Sequence, residues 1–235
     1  MVAPFSRRQR RPELMDGPGL DALEHVRALR GLARINWLSR SDAILWPAIS
    51  RLARHRGGST LRILDLATGG GDVPMALAKR AARAGIRLEI EGCDSSAEAV
   101  RFASRQAGTA GLPLRFFTLD VLHDAIPRGY DVVSCSLFLH HLDEASACSL
   151  LRRGAAATSG LLLVNDLVRG PLAYSLAWTA CRILSRSAVV HHDGPVSVAG
   201  AFTLAEARQL AENAGLAGAS VARHWPCRFL LSWSR

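Results

Sequence analysis

The segment Leu64-Asp65-Leu66-Ala67-Thr68-Gly69-Gly70-Gly71-Asp72-Val73-Pro74 has the residue types to hold a ligand by its backbone. Glycines let the main chain approach a bound molecule closely, and a helix starting at Asp72 aims its first N–H groups at it. Nicotinamide dehydrogenases carry a glycine turn too, but two residues speak against a pyrophosphate here. In a GxGxxG frame opened at Gly69 the last position is Pro74 rather than Gly or Ala, and Asp72 puts a negative charge at the helix start. A cofactor with a free amino group and a cationic centre tolerates that acid or needs it. Two further acids follow: Asp94, with Ser95 beside it, and Asp120, with Val121 beside it. The first can accept from ribose hydroxyls and the second from an adenine amino group. A lone strand-end Asp is ordinarily a helix cap, but three acids in register are poorly explained as caps alone.

A second group of residues can move protons. His140 and His141 follow the apolar run Tyr130 to Leu139, and His191, His192 and Asp193 precede Gly194-Pro195. Histidine titrates near neutrality and is the usual base for a phenol or enol oxygen. In a pair such as His192 with Asp193 the carboxylate can orient the base. The plainer readings are that one of His140 and His141 only caps a backbone carbonyl and that His192-Asp193 is a surface turn. Asn165 and Asp166 close another apolar run, where they can bind acceptor hydroxyls or form an ordinary turn. No metal site is expected, because adjacent histidines in an extended segment point to opposite faces and chelate poorly.

These residues need a scaffold that gathers distant strand ends. Residues 21–55 read as helical, with Leu23, Val26, Leu29, Leu32 and Ile35 in a stripe and Ser41-Asp42 capping a second helix. Strands are expected at 62–67, 87–94, 114–120, 130–139 and 160–166. Helices lie between them, from Asp72 to Ala84, from Ser95 or Ser96 to Gln106, and from Asp143 to Ala157. That alternation specifies a parallel sheet with right-handed crossovers. Residues 171–185 form an apolar helix whose Tyr174, Leu176 and Trp178 either line a pocket or belong to the core. Residues 186–202 lack periodicity and read as a loop. Thr203 and Glu206 form a capping box for a helix to Gly215, and the runs 219–225 and 228–233 form an antiparallel pair.

With 235 residues the chain can hold one α/β domain with a proper core. The formal charge of +9 points first to nucleic acid, yet Lys79 is the sole lysine and most arginines are spread along helices among alanines. Solvated helix faces explain them better, and nucleic acid is not the expected partner. The local cluster Arg7-Arg8-Gln9-Arg10-Arg11 lacks the apolar stretch of an export signal, so residues 1–19 read as a flexible basic arm. No apolar run reaches the roughly 20 residues of a membrane span. Five cysteines without a CxxC pair argue against a disulfide framework or zinc knuckle and for a reducing cytoplasm.

The spacing Asp65-x-x-x-Gly69-x-Gly71, then Asp94, Asp120 and Tyr130-Asp131-Val132-Val133-Ser134-Cys135-Ser136-Leu137-Phe138-Leu139-His140-His141-Leu142 resembles the class I S-adenosylmethionine-dependent methyltransferases over roughly residues 30–235. The resemblance implies an α/β, Rossmann-like sheet of seven strands, mostly parallel with an antiparallel last strand. It implies S-adenosyl-L-methionine as cofactor, its methionine moiety on the loop of Asp65, Ala67, Thr68, Gly69, Gly71 and Asp72. Asp94 and Ser95 would lie at the ribose, Asp120 and Val121 at the adenine, and Ser136 near the methyl group. The domain would span residues 20–235, with a helical lid at 20–57 and the core at 58–235. The segments 136–141, 165–167 and 192–195 are similar to bacterial methyltransferases of polyketide-derived phenols and pyrones. The reaction so implied is O-methylation of an aromatic or lipophilic small molecule at a phenolic or enolic oxygen. His140, His141 and His192 are the candidate bases, and Asn165, Asp166 and Asp193 the candidate acceptor ligands. C-methylation of a quinone precursor is the near alternative, since the glycine loop is also similar to that of quinone-biosynthesis methyltransferases. RNA methylation, a dehydrogenase and a non-catalytic cofactor binder are more distant.

Overall fold

Strands β1 (Leu61–Leu66), β4 (Tyr130–Ser136) and β5 (Thr158–Leu167) are apolar on both faces, which forces them to the middle of a sheet covered on both sides. The computed structural model, which describes residues 5–17 and 21–235, places them there. Residues 1–4 and 18–20, which include both ends of the expected arm, lie outside the described residues. With β2 (Leu88–Asp94), β3 (Arg115–Thr118), β6 (Ser220–His224) and β7 (Arg228–Ser234), the sheet has seven strands in the order β3-β2-β1-β4-β5-β7-β6. β1 to β5 are parallel, and β7 runs antiparallel to both β5 and β6. The strand order reverses between β1 and β4, and ligands of such sheets bind at the carboxyl ends there.

Alternation along the strands divides the core. Leu64, Leu66, Val133, Leu162 and Val164 face α5 (Glu144–Ala157) and α8 (Leu204–Asn213). Ile63, Val132 and Leu163 face α2 (Ser41–His55) and α3 (Asp72–Arg83). Each fully buried Leu or Ile contributes about 1.5–3 kcal/mol by leaving water. The capping box is present: Thr203 Oγ1 accepts from the Glu206 N–H at 3.2 Å, and the Thr203 N–H donates to the Glu206 carboxylate at 2.8 Å. Ser96, rather than Ser95, caps α4 (Ala97–Thr109).

Three expectations change. Residues 186–202 are not a loop but contain α7 (Ala188–Gly200). Its periodicity is hidden because Val189, Val190, Asp193, Pro195 and Val198 are all buried, and Pro195 interrupts it. On α6 (Pro171–Leu184), Tyr174, Leu176 and Trp178 are exposed, so they do not join the core. The Arg182 guanidinium instead covers the Trp178 ring at 3.8 Å. In α1 (Ala22–Ser39), Leu29 is buried but Leu23 is exposed, and the Leu32 side chain lies outside the description. Among the described residues no helix is long and apolar enough to cross a membrane.

Candidate active site

The glycine loop is shaped by backbone requirements. Gly69 and Gly71 have φ of +55° and +74°, and Ala67 joins them at +49°. A Cβ on Gly71 would come within 2.8 Å of the Phe116 ring and 2.9 Å of Ala103, so the loop can lie against α4 only with glycine there. A Cβ on Gly69 would meet nothing within 4 Å, which leaves that side of the loop open. Asp65 is buried beneath the loop, where its carboxylate accepts from Thr68 Oγ1 at 2.8 Å and Ser134 Oγ at 2.7 Å. Burial outweighs these two bonds and pushes its pKa up to about 7. Asp65 therefore ties the loop to β4. Its hydroxyl partners occupy both oxygens.

Asp94 ends β2 and clasps the loop from the other side. Its two oxygens accept from the Gly69 N–H at 2.8 Å and the Ser96 N–H at 2.9 Å. Ser95 is exposed beside it. Asp120 lies just past the end of β3, accepting from the Leu122 N–H at 2.9 Å with His123 at 2.7 Å; Val121 is buried next to it. Asp72 opens α3 at the rim of a cavity of about 830 Å³ that also reaches Lys79 and Gln106, but neither His140 nor Asp166. Ser136 and Asn165 pair across β4 and β5 at the carboxyl edge. The Ser136 hydroxyl and both polar atoms of the Asn165 amide are buried with no hydrogen-bond partner among the described residues. Buried polar groups left unpaired cost about 1–3 kcal/mol each, so such a group at a strand end calls for a ligand.

The histidines after β4 sit in a 3-10 turn, Leu139–His141, not in an extended segment. Their rings therefore share one side, with centroids 4.2 Å apart, and His141 also stacks on Phe138. His140 is buried, and its Nδ1 lies 2.7 Å from the Asp166 carboxylate at the end of β5. Its Nε2 faces Glu13 at 3.6 Å, and the His141 Nε2 faces the same oxygen at 3.9 Å. Burial alone would lower the His140 pKa. Asp166 and then Glu13 outweigh it and push it up to about 10, so His140 is an imidazolium at neutral pH. Asp166 is held below its ordinary value, because His140 overcomes the burial that would raise it.

Residues 63–158 match the family described as a methyltransferase domain. The fold is similar to that of the S-adenosylmethionine-dependent methyltransferase SibL, whose apo crystal structure aligns with a TM-score of 0.67 at 22% identity over 98% of this chain and 64% of that one. Residues 63–158 thus carry a methyltransferase domain. Among curated proteins it is 37% identical over 112 residues to a demethylmenaquinone methyltransferase of Thermus thermophilus, covering 47% of this chain and 49% of the relative. It is 29% identical over 148 residues to a ubiquinone biosynthesis O-methyltransferase of Leptothrix cholodnii, covering 61% and 54%. The chain thus spans about half the length of the curated relatives it matches.

Within the methyltransferase domain, the structure brings together Asp65, Thr68, Gly69 and Asp94 at one end of the sheet edge, and His140, His141 and Asp166 at the other. His192 and Asp193 are engaged with each other and with the N-terminal segment. His192 Nδ1 bonds Asp193 at 2.8 Å with its ring half exposed, and the Asp193 carboxylate accepts from the Leu14 and Met15 N–H groups at 2.9 and 3.0 Å. Asp193 thus caps the 3-10 turn Leu14–Asp16 of the N-terminal segment. The sequence reading missed Glu13, Arg8 and Ser197. Residues 5–16 lie against α7 and the histidine turn rather than projecting as a free arm. Their partners are some 130 to 190 positions away, so no local pattern marked them.

Proposed function

We propose that this methyltransferase domain uses S-adenosyl-L-methionine to methylate a hydroxyl oxygen on a phenolic or enolic small molecule. The observation that carries the reading is the histidine turn at the end of β4, on the same sheet edge as the glycine loop. The residues present suit the cofactor. Gly69 leaves an open cradle, Ser136 offers a buried hydroxyl with no partner among the described residues, and the acid at the start of α3 suits an ammonium or sulfonium better than a phosphate. Gly69, Gly71 and Asp72 would hold the methionine end, Asp94 the ribose and Asp120 with Val121 the adenine. When bound, the cofactor supplies an electrophilic methyl group on sulfur.

His140 is already protonated between two carboxylates and cannot act as a base. His141 shares its side of the turn and takes the acceptor's hydroxyl proton as the new oxygen–carbon bond forms. A positioned base contributes roughly 10²- to 10⁴-fold, and holding the acceptor in line supplies much of the rest. Asn165 and Asp166 are the acceptor-side polar groups of β5.

Calorimetry with S-adenosylmethionine, S-adenosylhomocysteine and NADH tests the cofactor. Both adenosyl ligands are expected to bind, weakened about 10- to 100-fold in Asp94→Ala through the loss of charge-assisted hydrogen bonds. Binding of NADH alone would sink the reading. Incubation with phenols, pyrones and quinols then tests the acceptor, with His141→Ala expected to lose most turnover. The relative named for demethylmenaquinone favours a second reading, transfer to a ring carbon of a quinone precursor. Product NMR separates a methyl ether from a ring methyl.

A further inference from the structure

We propose that the N-terminal segment Phe5–Asp16 is the outer wall of the acceptor site, and that Glu13 on it is a positioning residue for His140 and His141. The wall stands on contacts alone. The positioning role rests on the methyl-transfer reading above.

The segment has little reason to bury itself by hydrophobicity. Residues 7–13 are Arg-Arg-Gln-Arg-Arg-Pro-Glu, and Leu14 is exposed. Polar contacts hold most of it, with Met15 packed against the cluster of Cys181 and Val190 and the Phe5 ring 5.5 Å from that of Tyr174. The Gln9 N–H donates to the Ala199 carbonyl at 2.9 Å. Arg8 donates to the carbonyls of Gly200 and His140 at 2.5 and 2.8 Å while its guanidinium covers the Phe202 ring at 3.7 Å. Arg10 reaches the His141 carbonyl at 3.2 Å. Arg169 donates to the Phe5 carbonyl at 3.0 Å, and Asp193 caps Leu14 and Met15. Two of these anchors, Arg8 and Arg10, hold the backbone of the two histidines themselves.

Glu13 is deeply placed, with its side chain 11% exposed. Ser197 Oγ donates to it at 2.6 Å. Burial would raise its pKa, yet His140 and His141 outweigh burial and hold it below the ordinary carboxylate range. A carboxylate is carried into a dry site only opposite a cation. The His140 imidazolium already has Asp166 on its other nitrogen, so the Glu13 charge remains available to His141 when that ring gains the acceptor's proton. Separate hydrogen bonds of about 0.5–1.5 kcal/mol each can let go in turn, so the wall can part to admit an acceptor too large to pass beneath it.

Glu13→Gln and Arg8→Ala each remove part of the segment's polar anchorage. Two measurements follow on the full chain. Proton NMR of the His140 Nδ1–H reads its exchange with water, and steady-state kinetics read turnover. Both variants are expected to speed the exchange at least several-fold. Glu13→Gln is expected to lower kcat roughly 10- to 100-fold, the scale of a misplaced catalytic group, while KM for S-adenosylmethionine stays within about twofold. Glu13→Asp is expected to recover part of kcat. Unchanged exchange in both variants would overturn the wall, whether or not any acceptor has been found. Wild-type kcat in Glu13→Gln, with transfer established, would overturn the positioning role. Glu13, His140 and His141 also present three ligand atoms within 4.8 Å of one another. Turnover abolished by EDTA and restored by zinc would make Glu13 a metal ligand and overturn the role proposed here.

Discussion

Asp65 and Asp166 are both fully buried carboxylates at the same sheet, yet they end in opposite protonation regimes. Asp65, under the glycine loop, has two hydroxyl donors and no cation, and its pKa climbs to about 7. Asp166, under the histidine turn, has an imidazolium at 2.7 Å, and its pKa falls. Burial is common to both, so the partner decides. Beneath the glycine loop the buried acid is held by neutral hydroxyl donors. Beneath the histidine turn it is held by charge, as the proposed proton transfer there requires.

The sharpest way to break this contrast is to remove the carboxylates. Asp166→Ala would strand a buried imidazolium and is expected to cost about 3–5 kcal/mol, read by urea unfolding. A loss below about 1 kcal/mol would mean that His140 is neutral. Gly194→Ala comes next. The added Cβ would lie 2.2 Å from Cys181 Sγ, and overpacking of that kind costs about 1–3 kcal/mol, with Cys181→Ala expected to restore most of it. Asp65→Asn, which trades one neutral network for another, is expected to cost about 1 kcal/mol.

The two acids also predict a staged pH response. A raised folded pKa adds stability at low pH and loses it as pH climbs past the folded value. The Asp65 contribution is whole below its ordinary 3.8 and lost as pH rises through about 7. That of His140 is whole below 6.5 and lost as pH rises through about 10. Thermal unfolding of the wild type should therefore show two declines as pH rises, one between 3.8 and about 7 and one between 6.5 and about 10, and Asp65→Asn should erase only the lower one. The smallest expected effect is that of His192→Ala. Its half-exposed ring only touches Asp193, and the change should stay within about 0.5 kcal/mol in stability.

What the sequence made legible was local. Gly69, Gly71 and Asp72 needed only the turn chemistry of a strand entering a helix, and the Thr203–Glu206 box only a spacing of three. The parallel strands declared themselves by continuous apolar runs. The acceptor end was harder to read for physical reasons. α7 is buried on several sides and carries Gly194 and Pro195, so it presents no amphipathic rhythm. His140 and His141 were expected on opposite faces because an extended backbone was assumed, whereas a 3-10 turn aligns them. Glu13 had no signal at all, since its meaning lies in side chains more than 120 positions away.

The seam between α6 and α7 offers a clock. Cys181 is buried where Gly194 allows the two helices their closest approach, and burial pushes its thiol up to about 11. Such a sulfur reacts with a maleimide only in the moments when the helices part. Cys93 and Cys135, buried in the central strands, wait for the sheet itself to come apart. Labelling rates at these sites, compared within one sample by peptide mass, would time local breathing beside the acceptor against global unfolding.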